Sequence, residues 1–377
     1  MEEEKNSPWG ALTGVRPTKL AYKLLSVGLD PAFLTESLIK NYGIRQDKAN
    51  LIARIIKNQK CIIRNDNLVD LYINIPICPS RCAYCSFISS EIAKVKPILP
   101  KFLDCLIKEI RAMKKVIAQK PYVVRTIYIG GGTPTVLEPS ELELLLQEIG
   151  YPVNEFTVEC GRADTITREK LEVLKRFGVT RISINPQTFS QRTLKKIGRK
   201  HTTADVVNAY KLALEFGFKV NMDLIAGLEG ESLRTFKNSI KTVLELSPEN
   251  ITVHTLSIKR GSMLQGQEIE NAEVEKMIDF AYQKLTEDEY KPYYLYRQKN
   301  QLGGLENVGY CKENEQCIFN IDSMEETCSI IACGANAISK RVLSLDNKIF
   351  RCANVKFIED YITRINEMIN NKINLFK

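Results

Sequence analysis

The chain has 377 residues, is 44% hydrophobic and carries a formal charge of +8. It can bury one large core or two smaller ones, and no apolar run approaches the length of a membrane span. Lysine and arginine are scattered, not gathered in a basic tail, so the charge does not select nucleic acid and suits a polyanionic small molecule or a solvated surface equally.

Residues 1 to about 62 read as helical. Asp30-Pro31 offers an N-cap followed by proline at the first helical position, and Gly43 can close that helix. Leu51, Ile52, Ile55 and Ile56 then form an apolar stripe at helical spacing. From Val69 the pattern turns to alternation, with Leu71, Ile73 and Ile75 facing one way in a strand that delivers Cys78 into its following loop. Phe102, Leu103, Leu106, Ile107, Ile110 and Met113 mark an amphipathic helix. The next strand, 124–130, ends in Gly130-Gly131-Gly132-Thr133-Pro134, after which Ser140 with Glu143 resembles a capping box.

Further strands are expected at 155–160, 179–184, 219–225 and 250–256, separated by helices at 167–177, 203–216 and 232–246. Six β–α units predict an α/β fold, a parallel sheet with helices outside, closed or partly closed as a barrel. In such barrels the chemistry sits at the C-terminal ends of the strands. Those ends are polar or glycine-rich: the cysteine loop, the glycine run, Glu159, Asn185-Pro186-Gln187, Asp223 ahead of Gly227, and His254-Thr255. The expected organisation is a helical N-terminal segment (1–62), a (β/α)6 core (63–258) and a smaller C-terminal α+β domain that covers the substrate (259–377).

Cys78, Cys82 and Cys85 lie in the run Ile-Cys-Pro-Ser-Arg-Cys-Ala-Tyr-Cys. Three thiolates at this spacing can hold three irons of a [4Fe–4S] cube on one loop, leaving the fourth iron open to a ligand. A structural zinc site wants four ligands, and the chain's two histidines, His201 and His254, are distant in sequence. A disulfide framework belongs to short secreted chains, whereas eleven cysteines without a secretory signal point to a reducing, cytoplasmic setting. Zinc and buried unliganded thiols are the remaining alternatives. The glycine run lacks the lysine of a P-loop; it is either an ordinary tight turn or a place where backbone approaches a ligand. Cys311, Cys317, Cys328, Cys333 and Cys352 have irregular gaps and read as small core residues, and 330–336 as a strand and turn packing the C-terminal domain onto the barrel.

The cysteine motif with an aromatic before its last cysteine, followed by Gly-Gly-Gly-Thr-Pro, resembles the radical S-adenosylmethionine (SAM) superfamily, and within it the oxygen-independent coproporphyrinogen III oxidase group. The runs Gly-Val-Arg-Pro-Thr-Lys at 14–19, Tyr-Leu-Tyr-Arg-Gln-Lys-Asn at 294–300 and Leu-Glu-Asn-Val-Gly-Tyr at 305–310 resemble the HemZ-type branch. The likeness extends from Trp9 to about Lys340.

The resemblance implies a partial (β/α)6 radical SAM barrel, with a [4Fe–4S] cluster and S-adenosylmethionine as cofactors. Cys78, Cys82 and Cys85 would hold the cluster; Tyr72, Gly131, Gly132, Thr133, Glu159, Gln187, Arg199 and Asp223 match family positions near adenosylmethionine. Tyr84 matches an aromatic near a second such molecule. The implied reaction is oxidative decarboxylation of two propionates of coproporphyrinogen III to vinyl groups, giving protoporphyrinogen IX, fed by an electron donor such as flavodoxin or ferredoxin. A tetrapyrrole with four carboxylates needs basic partners, for which Lys259, Arg260, Arg297 and Lys299 are candidates.

Departures from the family pattern bear on substrate handling. Asn74 stands where relatives commonly have histidine, and Ser86 follows the last cysteine where the oxidases proper have glycine and a further cysteine. HemZ-type proteins also carry a longer N-terminal region ahead of the position of Trp9. Two alternatives keep the same cluster motif: a haem-binding chaperone, and a radical enzyme of haem breakdown.

Overall fold

The computed structural model describes residues 7–12, 14, 16–59, 62–87, 90–259, 262–264, 273–343 and 348–377. Val15 of the 14–19 run and Arg260 lie outside these residues. The main strands are β1 (Leu68–Ile75), β2 (Val123–Gly131), β3 (Glu155–Glu159), β4 (Arg181–Ser183), β5 (Lys219–Ala226), β6 (Asn250–Thr255), β7 (Lys291–Tyr296), β8 (Asn307–Cys311), β9 (Ser329–Cys333), β10 (Ile338–Leu343) and β11 (Lys348–Ala353). The chain divides into a cysteine-loop unit (63–186, 198–221 and 326–377) and a companion unit (1–62, 187–197 and 222–325).

In the cysteine-loop unit, β1 to β4 and the first residues of β5 pair in parallel and in chain order. Their alternation sorts two faces. Val69, Leu71, Ile73, Ile75, Ile127, Ile129, Phe156, Val158 and Ile182 are buried on one. The register aligns Tyr72 with Tyr128, Tyr128 with Thr157, and Glu159 with Ser183, so the other face is polar across four strands. Parallel strands under helices are usually apolar on both faces. A polar face inside such a sheet needs partners that the sheet does not supply.

Helices cover the apolar face. Leu99–Ala118 buries Phe102, Leu103, Leu106, Ile107, Ile110 and Met113, the stripe read from the sequence. Thr167 and Thr202 cap their helices with hydroxyls that accept backbone N–H groups. The capping box after the glycine run is formed by Glu138 and Glu141, not by Ser140 and Glu143. Pro139 fixes the first helical residue, which makes Glu138 the cap and puts Ser140 inside the helix. The segment Ser329–Cys333 is a strand of this same sheet, pairing in parallel with β1 from Val69↔Ser329 to Ile73↔Cys333.

In the companion unit, Asp30 accepts from Ala32 N–H ahead of a short 3₁₀ turn, and Gly43 closes helix Leu34–Tyr42 at φ +64°, as its sequence implies. Helix Gln46–Asn58 buries Leu51, Ile52 and Ile55. Strand β8 pairs antiparallel with β6 and β7. Gly309 is needed there: a Cβ would stand 1.8 Å from the Tyr294 ring. Glu306 is buried between Lys48 Nζ at 2.6 Å and Trp9 Nε1 at 3.2 Å, which ties the N-terminal helices to β8. Among the described residues, no helix is long and apolar enough to cross a membrane.

Candidate functional site

The cysteine loop leaves β1 and is held against the glycine run by backbone. Gly132 N–H donates to Ile75 O at 2.9 Å and Thr133 N–H to Ile77 O at 2.8 Å. This approach requires glycine, because a Cβ on Gly132 would lie 2.4 Å from Ile77 O. Gly131 has φ +104° and abuts Asn74, while the space beside Gly130 is filled by the Glu159 carboxylate. The glycines thus seat the cysteine loop, and Thr133 Oγ1, next in line, donates to Cys78 Sγ at 3.6 Å.

Cys82 is buried and Cys78 and Cys85 half-buried. Cys85 N–H donates to Cys82 O at 3.0 Å, closing a tight turn. Burial pushes the Cys85 thiol up to about 11, with the neighbouring Cys82 and Cys78 sulfurs adding to the effect. Loading a metal there therefore expels protons. Arg162, which sequence reasoning missed, pins the loop from outside: Nη1 donates to Ser80 Oγ at 3.1 Å while the guanidinium grips Asp164 at 2.8 Å. His201 lies 3.5 Å from Asp164, its side chain wholly buried. Burial lowers the pKa of His201 despite that carboxylate.

Arg199 bridges three elements. Its Nη1 donates to Asn185 O at 2.7 Å and Gly161 O at 3.1 Å, and its Nη2 to the Tyr84 hydroxyl at 3.0 Å. Burial alone would weaken its charge, but Tyr84 and Cys82 more than restore it. Glu159 accepts from the Tyr128 hydroxyl at 2.7 Å and from Gly131 N–H at 3.1 Å. The Tyr72 ring lies 6.1 Å from that of Tyr128, and its hydroxyl, raised in pKa by burial and then by Glu159, donates to Asn74.

Tyr72, Tyr84, Gly131, Gly132, Thr133, Glu159, Arg199 and the three cysteines therefore lie in one unit. Gln187 and Asp223 lie in the companion unit, where Gln187 N–H donates to Asp223 O at 2.8 Å. Gln187 adopts φ +65°, a strained backbone for a residue with a side chain. Also in that unit, His254 Nε2 is 3.5 Å from Asp223 and its Nδ1 is 3.3 Å from the Tyr296 hydroxyl. The basic candidates differ among themselves. Arg297 stacks 5.3 Å over Trp9 and donates to Leu12 O at 2.7 Å, so it holds the N-terminal segment. Lys299 is exposed, and Lys259 is half-buried, which lowers its pKa. Cys311, Cys317, Cys328 and Cys333 are buried core residues, and Cys352 is half-buried.

The residues fit the groups that the cysteine motif implies. Thr157 Oγ1, Ser183 Oγ, Asn185 Oδ1 and Arg199 Nε are buried and meet no partner among the described residues. Such groups are costly unless a ligand answers them, and Thr157, Ser183 and Asn185 lie on the polar strands or just past their ends. Three soft thiolates with a hydroxyl donor suit an iron–sulfur cluster.

Residues 72–243 match the family model described as "Radical SAM superfamily". The chain is 40% identical to the oxygen-independent coproporphyrinogen-III oxidase-like protein HemZ of Bacillus subtilis, over 97% of this chain and 76% of that one. It is 37% identical to the haem chaperone HemW of the same organism, over half of each chain. Among solved structures it is similar to the coproporphyrinogen III oxidase HemN of Escherichia coli, with TM-score 0.64 and 19% identity over 85% of this chain and 73% of that one. That likeness shows the fold, an α/β partial radical SAM barrel. Proteins of this superfamily work with a [4Fe–4S] cluster and S-adenosylmethionine. The chain belongs to the radical SAM superfamily, and within it to the HemZ-type branch of the oxygen-independent coproporphyrinogen III oxidase-like group.

Proposed function

We propose that this protein is a radical SAM oxidoreductase that decarboxylates two propionates of coproporphyrinogen III to vinyl groups, giving protoporphyrinogen IX. The observation that carries the reading is the extent of the HemZ likeness, which runs over 97% of the chain and includes the 294–300 and 305–310 runs, beyond the cofactor-binding core. Cys78, Cys82 and Cys85 hold the cluster; Tyr72, Gly131, Gly132, Thr133, Glu159, Gln187, Arg199 and Asp223 hold adenosylmethionine, with Tyr84 serving a second molecule. When bound, these groups would supply one-electron cleavage of the sulfonium and with it hydrogen abstraction from the propionate β-carbon, after which loss of CO2 and of one electron to a one-electron acceptor completes each vinyl group.

The chain's own residues do the rest. Arg199, with its fork anchored on Gly161 and Asn185, keeps Tyr84 in place and presents positive charge to a carboxylate. Thr133 donates to the first thiolate. The glycines keep the cysteine loop seated. Lys259, Arg260 and Lys299 are the candidates for the substrate carboxylates, and residues 259–377 for the part of the chain that covers the substrate. Electrons come from a flavodoxin- or ferredoxin-type donor in the cytoplasm.

A haem chaperone is the second reading, favoured by the HemW relative at 37% identity. The histidines weigh against it: His201 has no exposed side-chain surface, and His254, 24% exposed, already sits between Asp223 and Tyr296. Anaerobic incubation of the reconstituted protein with reductant, adenosylmethionine and coproporphyrinogen III, beside a haem titration, separates the two. Decarboxylated porphyrinogen supports the enzyme; tight one-to-one haem binding without such product supports the chaperone.

A further inference from the structure

Asn74 sits on β1 between two glycines that pack closely against it, as only glycine can. A Cβ on Gly131 would meet its Oδ1 at 2.1 Å, and one on Gly334 its backbone oxygen at 2.1 Å. Its Nδ2 donates to the Ala335 carbonyl at 2.5 Å. A carbonyl only accepts, so this bond fixes which end of the amide is nitrogen. The amide oxygen therefore turns to Tyr72, whose hydroxyl donates to it at 2.9 Å.

The turn that supplies Ala335 is anchored in turn by Glu109, which is fully buried. One carboxylate oxygen accepts from Gly334 N–H at 2.7 Å and from the Tyr361 hydroxyl at 2.6 Å. The other accepts from Asn354 Nδ2 at 2.9 Å and from Lys372, itself fully buried in helix Ile358–Phe376. A buried ion pair contributes little net stability after desolvation, but with its hydrogen bonds met it holds one arrangement.

We propose that this line of contacts, from Lys372 through Glu109 and the Gly334 and Ala335 turn to Asn74, is a positioning device that commits the Tyr72 proton to Asn74. Tyr72 then faces its ligand with lone pairs. The inference rests on the reading that Tyr72 meets adenosylmethionine. It assigns Tyr72 a donor on that ligand, the ammonium or a ribose hydroxyl, and not the carboxylate. Asn74, Glu109 and Lys372 touch no ligand; they act through Tyr72.

The test is equilibrium binding of adenosylmethionine and of its decarboxylated analogue to the anaerobically reconstituted protein. The variants are Tyr72→Phe, Asn74→Leu, which removes the acceptor at near-equal volume, their combination, and the paired Glu109→Gln/Lys372→Met, which removes both charges together. Iron content and melting temperature report whether each variant folds and loads. Tyr72→Phe and Asn74→Leu should each weaken binding about tenfold, with the combination no worse than either alone, because the first removes the Tyr72 oxygen and the second removes the acceptor that holds its proton away from the ligand. The paired charge variant, loaded with iron as the parent is, should show a several-fold loss that vanishes in a Tyr72→Phe background. The Tyr72→Phe loss should persist with the decarboxylated analogue. Additive losses, or a Tyr72→Phe loss that disappears with that analogue, overturn the inference and leave the cofactor reading intact. A parent protein that loads its cluster and binds no adenosylmethionine overturns the reading and the inference together.

Discussion

Thr133 donates its hydroxyl to Cys78 Sγ across 3.6 Å, so the residue that ends the glycine run touches the first thiolate of the cysteine motif. Hydrogen bonds to cluster sulfurs raise reduction potential by stabilising the added electron. Thr133→Val keeps the shape and removes the donor. The midpoint potential of the reconstituted cluster should fall by roughly tens of millivolts in a redox titration followed by EPR. An unchanged potential would mean that this hydroxyl does not bond the liganded sulfur.

Gly132 is set by backbone, not by a flexible side chain. An added Cβ would collide with Ile77 O at 2.4 Å and Ile77 N at 2.7 Å, and neither can swing aside. Gly132→Ala should cost about 1–3 kcal/mol in chemical denaturation and lower the iron loaded per chain, since the loop it displaces carries Cys78. Wild-type stability with full iron loading would show that the loop seats differently.

Glu231 gives a pH signature in the companion unit. It is 4% exposed, accepts from the Thr188 hydroxyl at 2.5 Å, and is raised by burial from 4.5 to about 7. The folded chain keeps a proton that the unfolded chain releases. The associated stability is therefore full below about pH 4.5 and is lost as pH rises through about 7. Glu231→Gln has no proton to lose, so its stability relative to the parent should climb by up to about 3 kcal/mol between pH 4.5 and 8. A flat difference across that range contradicts the assignment.

The three motif cysteines are proposed as the cluster ligands, and the C-terminal cysteines as core. Substituting Cys78, Cys82 and Cys85 together by alanine should abolish the broad absorbance of a [4Fe–4S] cluster and reduce bound iron and sulfide to background. Retained cluster absorbance would assign a second site to the cysteines between Cys311 and Cys352.

What the sequence reveals here is local chemistry. The cysteine spacing, the glycine run and the alternation of β1 are each readable within a dozen residues; the structure forms β1 as read and packs the glycine run on the backbone of the cysteine loop. The Ser140 cap misleads because Glu138 ahead of Pro139 is an equally local competitor, and proline at the first helical position decides between them. The contacts that hold the site are not local. Arg162 reaches Ser80 across 82 residues and Lys372 reaches Glu109 across 263, with no periodicity or motif to announce either. The place of Ser329–Cys333 beside β1 is likewise a pairing between distant segments, which strand propensity alone does not specify.

The most direct measurement is anaerobic turnover of the reconstituted protein with coproporphyrinogen III, adenosylmethionine and a low-potential reductant, with porphyrins resolved by chromatography after oxidation. Conversion of coproporphyrinogen III to protoporphyrinogen IX, with 5′-deoxyadenosine formed alongside and both lost in the Cys78, Cys82 and Cys85 variant, is the predicted result. Deoxyadenosine without any decarboxylated porphyrinogen, together with stoichiometric haem binding, would contradict the account.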